Sequence, residues 1–180
     1  MVMTGGLGAA FQRHLGRILG FAVLLEVGFS VLAAGLPGGV PLVFMMLLPR
    51  ALALAVWALA LASFWNQKQG MYFTDIQGAG RKLPFLTAAI VVAQFSITGF
   101  PLLAGFPVRL ALWDQLSVQA VWQATASLLG CFGLFASGVR TLNILVTGPE
   151  DHPWQRTENW WVVALMGMGS IAIVLVGIFP

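Results

Sequence analysis

The sequence predicts an all-α integral membrane protein of about six transmembrane helices, one of them broken near Gly99–Pro107. Three observations predict it. Apolar side chains make up 59% of the 180 residues and charged ones only 8%, where soluble domains carry about 25% charged residues. Mean hydropathy is +0.90. Apolar runs of about 20 residues, the length that crosses a hydrocarbon core, recur along the chain between polar or turn-forming stretches. So few charged groups cannot cover a water-facing surface. The net charge of +3 does not point to nucleic acid. The basic residues are few and fall near the ends of apolar runs, where the positive-inside rule puts them. One cysteine, Cys131, leaves no internal disulfide and no cysteine-rich metal site; it reads as a small buried apolar side chain.

The first span is Leu15–Leu36. Arg13 and Arg17 ahead of it raise the question of a cleaved leader. The apolar run exceeds the h-region of about 7–15 residues, so it reads as a membrane helix. Pro37, Gly38 and Gly39 make a tight turn, and Val40–Phe64 is the second span. A polar connection runs from Asn66 to Lys82. Pro84–Ile97 begins the third span, which breaks at Thr98–Pro101. Leu102 to about Ala120 is the fourth and Val121–Val146 the fifth. Trp160–Phe179 is the sixth, after a polar loop at Gly148–Asn159. Residues 1–180 read as a single transmembrane domain. Six crossings place both termini on one side, with Arg13, Arg17, Lys68, Arg81 and Lys82, and leave Arg140 and Arg156 on the other. That imbalance marks the terminal side as cytoplasmic, and Trp65, Trp154, Trp160 and Trp161 fit an interfacial aromatic belt.

Few ionisable residues fall within the spans. Glu26 and Arg50 each lie 12 residues from Gly38, so each sits roughly 18 Å from the same turn. The two helices are antiparallel neighbours, and an ion pair is the natural expectation. An isolated charge at the bilayer centre costs roughly 2.5–3.5 kcal/mol on insertion scales. Such a pair either pins two helices together or forms a station on a proton path; otherwise the two side chains face different partners.

Arg109 follows the break. Placing the break at the membrane face that carries the Gly38 turn puts Arg109 roughly 13 Å deep. Irregular backbone at membrane depth is tolerated where protein or a water-filled cavity surrounds it, and broken helices expose groups that hold ions or water. On this reading Gly99, Pro101, Gly105 and Pro107 shape a transporter-like break with a buried cation beyond it. On the other, the prolines end one helix and start the next, and Arg109 snorkels to the surface.

The stretch QGAGRKLPFLTAAIVVAQFSITGFPLLAGFPVRLALW, residues 77–113, resembles a segment of the antiporter-like subunits of respiratory complex I and of Mrp-type sodium/proton antiporters. Ser96, Gly99, Pro101, Gly105 and Phe106 match its pattern, and Arg109 falls on its ionisable position. Upstream, FQRHLGRILGFAVLLEVGF resembles the start of the family's ninth helix through Gln12, Arg17 and Gly28. LLPRALALAVW resembles the tenth helix, with Arg50 near the family's lysine and Pro49 a departure. The ending VLVGIFP resembles the last helix. The resemblance runs from about Gln12 to Pro180 and covers helices nine to fourteen; the family's first half, with its own buried Glu and Lys, is not matched. It implies a membrane subunit of a complex I-like proton- or cation-translocating assembly, in a bacterial inner or organellar membrane, with other membrane subunits and lipids as partners.

The lysine positions read arginine here. A guanidinium keeps its proton at physiological pH and cannot pass it on as lysine can. Glu26, Arg50 and Arg109 are therefore candidates for buried charges or an ion path, and this copy is expected to have limited or no proton transfer of its own. The competing reading is a structural, lipid-embedded accessory subunit of another large membrane complex. No P-loop, dinucleotide fingerprint, metal-ligand cluster or nucleophile–base pair marks an enzyme of its own. His14 and His152 flank the spans, which argues against a buried haem ligand, so no cofactor or metal is expected.

Overall fold

The computed structural model describes residues 1–67, 70–147 and 158–179. Lys68, His152, Trp154, Arg156 and Pro180, on which parts of the sequence reading rest, lie outside the described residues. The regular elements among the described residues are helices: α1 (Val2–Phe11), α2 (Leu15–Ala34), α3 (Val40–Asn66), α4 (Pro84–Thr98), α5 (Gly105–Gln119), α6 (Val121–Val146) and α7 (Trp160–Ile178), with a 3-10 turn at Ala79–Arg81. Phe44, Leu48, Phe132 and Ile171 stand exposed on the outside of the bundle, as helices bordered by lipid require.

α2 and α3 make an antiparallel hairpin about the Gly35–Gly39 turn. At the other end, which we term the near face, several segments meet. The chain after α3 returns to the start of α2, where Leu15 N donates to Met71 O at 3.0 Å and Phe73 N to Arg13 O at 2.9 Å. Gly78 N donates to Ile144 O at 3.0 Å, which brings the last turn of α6 to the same face. Arg140 of α6 donates to the Gln12 carbonyl and lies over the Phe73 ring. Glu158, just ahead of α7, accepts from Phe85 N and Leu86 N at 2.8 and 2.9 Å. It thereby caps amides that would otherwise be orphaned at the start of α4.

These contacts revise the expected topology. α6 ends, and α7 begins, on the face where α2 and α4 begin, so α4 and α5 together make one crossing. The reason is length: α4 has 15 residues, roughly 22 Å, and cannot traverse a core of about 30 Å. The break at Gly99–Ala104 therefore lies inside the span rather than at a membrane face, and α5 continues toward the far face. In place of six separate spans, the described residues hold four long apolar helices, α2, α3, α6 and α7, plus the broken α4–α5 pass. Arg140 moves to the near face, with Arg13, Arg17, Arg81 and Lys82. α7, starting at the near face, runs toward the far side in the same sense as α2, and its Gly177 packs on the backbone of Leu102–Leu103 in the break. The end of α7 thus lies opposite the start of α2, not beside it.

The short helix α1 does not register in the hydrophobic pattern, because Gly5, Gly6 and Gly8 make it a weak helix former. It folds between α2 and α6, with Gly5 against Leu25 and Gly6 against Gly130.

Candidate functional site

The break in α4–α5 is built by specific residues. Gly99 caps α4 in the left-handed region (φ +79°), and a Cβ there would lie 2.5 Å from Arg109 Cδ. Glycine is needed for both conformation and space. Phe100 N turns back to Phe95 O at 3.0 Å. Leu102 also adopts a positive φ, +71°, a conformation that costs a non-glycine residue energy and clusters at functional positions. Pro101 lies within the break. Gly105 opens α5 and donates its amide to Ser96 Oγ at 3.3 Å. Pro107 sits in the first turn of α5, where its missing N–H leaves no orphan.

Arg109, one turn into α5, is 4% exposed, and Glu26 of α2 is 5% exposed. The Arg109 guanidinium donates to Glu26 Oε1 and to the carbonyl of Ile97. Ile97 belongs to the last turn of α4, where unpaired carbonyls and the helix dipole favour a cation. The guanidinium also lies 4.0 Å from the centroid of the Phe29 ring, a cation–π arrangement. Three groups from two helices, α2 and α4, thus hold one positive charge.

Arg50 is in the same neighbourhood but differently paired. Nη1 donates to Ser30 Oγ at 2.7 Å, and Ser30 Oγ donates to the Glu26 carbonyl at 3.1 Å. The expected Glu26–Arg50 ion pair is therefore replaced by Glu26–Arg109. The cause is side-chain direction. On a helix, side chains lean toward their own N-terminus. In the antiparallel α2–α3 pair the tips of Glu26 and Arg50, level at Cα, lean apart along the membrane normal. Arg109 leans back from α5 toward the break and meets Glu26 instead. Ser30, Phe29 and the Ile97 carbonyl escaped the sequence reading, and Ser96 entered it through the family resemblance alone, not as a hydrogen-bonding group of the site. Ser30, four residues from Glu26, could have been found by helical spacing.

Glu26, Arg50, Ser96 and Arg109 line a cavity of about 20 Å³ between α2, α3, α4 and α5, enough for a single water. Nε and Nη1 of Arg109 have no hydrogen-bond partner among the described residues. Chemically, the arrangement fixes a cation and a carboxylate at mid-span. The carboxylate is the one group of the three able to gain and lose a proton, because guanidinium has donors only.

A family model described as "NADH:quinone oxidoreductase/Mrp antiporter, TM" matches residues 1–138. NADH-quinone oxidoreductase subunit N 2 of Thermodesulfovibrio yellowstonii is 33% identical over 192 residues, covering 99% of this chain and 39% of its own length. Subunit N of Chloroflexus aggregans is 25% identical over 188 residues, covering 97% and 37%. A chain of respiratory complex I from Thermus thermophilus with bound aureothin has a similar fold. Its TM-score is 0.67 at 22% identity, covering 99% of this chain and 41% of that one. This chain thus spans about two-fifths of the length of these relatives.

Proposed function

The chain belongs to the NADH:quinone oxidoreductase/Mrp antiporter transmembrane family, and from that membership we propose that it serves as a membrane subunit of a complex I-like, NADH:quinone oxidoreductase-related assembly that moves protons or cations. On this reading the chain has limited or no proton transfer of its own at Arg109. It corresponds to helices nine to fourteen of an antiporter-like subunit, and its partners are other membrane subunits and lipids.

The observation that carries the reading is the pairing of Arg109 with Glu26 and the Ile97 carbonyl at the helix break. An ion-handling architecture is kept, but its cation is a guanidinium that stays charged. The small cavity beside it favours a second reading, a structural subunit whose charges only lock helices together.

The test is an assembly purified through this chain and reconstituted in vesicles, with proton uptake followed during NADH oxidation by quinone. Arg109→Lys is expected to assemble and pump. Arg109→Ala is expected to lose assembly, with pumping falling in proportion, because Glu26 is stranded. An Arg109→Ala assembly recovered in normal yield without pumping would give the arginine a gating role and overturn the proposal. Copurification with a complex that has no quinone reductase activity would favour the structural reading.

A further inference from the structure

The three mid-span charges do not balance. Glu26 is one carboxylate against the guanidinium groups of Arg50 and Arg109, and Arg109 already takes it. Among the described residues Arg50 has only the neutral Ser30 hydroxyl as hydrogen-bond partner.

Arg50 is also less enclosed than the other two: it is partly exposed, while Glu26 and Arg109 are buried. Its hydrogen bond to Ser30 places it at the seam between α2 and α3. Val23 and Val27 precede Ser30 on the same stripe of α2, and Leu47 precedes Arg50 on α3; all three are more than one-third exposed. This apolar seam holds a partly exposed arginine 12 residues from the Gly38 turn, near the middle of the bilayer. Lipid tails offer that group nothing, and intramembrane cations pair with carboxylates or carbonyls on protein.

We propose that the α2–α3 seam is an interface for a transmembrane helix of a different polypeptide, and that this helix presents an Asp or Glu to Arg50 at mid-membrane depth. Charge complementarity selects the occupant. A second copy of this chain is a poor fit, because the chain has six acidic residues, and the one at Arg50's depth, Glu26, is committed to Arg109. Asp114 lies five residues beyond Arg109 along α5, roughly 7.5 Å nearer the far face. A two-fold axis along the membrane normal preserves depth, so Asp114 of a second copy stays on the far-face side of Arg109, and crosslinking to a second copy is the outcome that would bring it to Arg50. Lipid phosphates lie at the faces, not at this depth. The interface does not depend on which assembly the chain joins.

The experiment places a photo-crosslinking amino acid at Leu47 in native membranes and identifies the crosslinked peptide by mass spectrometry. The expected product is a hydrophobic helix of another chain with Asp or Glu within one turn of the crosslink. Arg50→Lys should preserve the yield. Arg50→Gln should lower it by roughly tenfold or more, as removing one partner of a desolvated charge pair does. Replacing the acid found by Arg in an Arg50→Glu background should restore it. Crosslinking to lipid alone, to a second copy, or to a helix without an acid at that level overturns the proposal, as does a yield indifferent to Arg50→Gln. An acid-bearing helix from a chain unrelated to quinone reductases would leave this interface standing and remove the functional reading above.

Discussion

Arg109 is held by a carboxylate, a helix-terminal carbonyl and an aromatic face, and that over-determination sets what its replacement does. Removing one partner of a buried ion pair strands the other and costs about 3–5 kcal/mol. Glu26→Gln and Arg109→Gln should each lower stability in detergent on that scale, read from denaturant unfolding. The double variant should cost less than the sum, because no charge is then stranded. An additive double variant would show that the pair contributes no coupling. Gly99→Ala should cost about 1–3 kcal/mol, the range for a non-glycine residue held in the left-handed region, with more from the approach of Arg109 Cδ at 2.5 Å. A thermal midpoint equal to the parent's would contradict this. At this scale the sequence was half legible. Glu26, Arg50 and Arg109 stand out because charges are rare in apolar runs. Their pairing was hidden, because depth counted along Cα positions omits the lean of side chains toward each helix N-terminus.

At the scale of elements, what decides the site is where the α4–α5 break falls in the membrane. The break itself was legible from Gly99, Pro101, Gly105 and Pro107. Its depth was not, because the apolar run resumes after it and reads as a separate span, although α4, with 15 residues, is too short to reach the far face before the break. α1 was not legible either, since its glycines signal nothing until α2 and α6 are there to pack against. α4 depends on a residue distant in sequence: Glu158 supplies the acceptor for Phe85 N and Leu86 N. Loss of a capping acceptor costs about 0.5–2 kcal/mol, so Glu158→Ala should lower the unfolding midpoint. It should also speed amide exchange in the first turn of α4 while leaving the α2–α3 hairpin protected. Uniform loss of protection across the bundle would show that Glu158 matters beyond the cap.

For the whole molecule, the crossings of α2, α3, α4–α5, α6 and α7 put the start of α2 and the end of α7 on opposite sides. The charges agree with one orientation. Arg13, Arg17, Arg81, Lys82 and Arg140 gather at the near face, and the other described basic residues, Arg50 and Arg109, lie inside the bundle. By the positive-inside rule the near face is expected to be the cytoplasmic one. Single-cysteine probes in a Cys131→Ala background test this directly. Thr74 is exposed in the near-face connection, and Phe179, 76% exposed, follows α7. A membrane-impermeant maleimide should label Thr74→Cys only from the cytoplasmic side and Phe179→Cys only from the opposite side. Gln119→Cys, exposed at the α5–α6 junction, should follow Phe179→Cys, because α5 ends on the far face. Six separate crossings predict another pattern, with the Thr74, Gln119 and Phe179 positions all reached from one side. Labelling of the Gln119 position therefore discriminates between the two topologies even where the chain end is poorly reactive. It also decides whether Arg109 sits inside a single broken crossing or at the start of a separate helix returning to the near face.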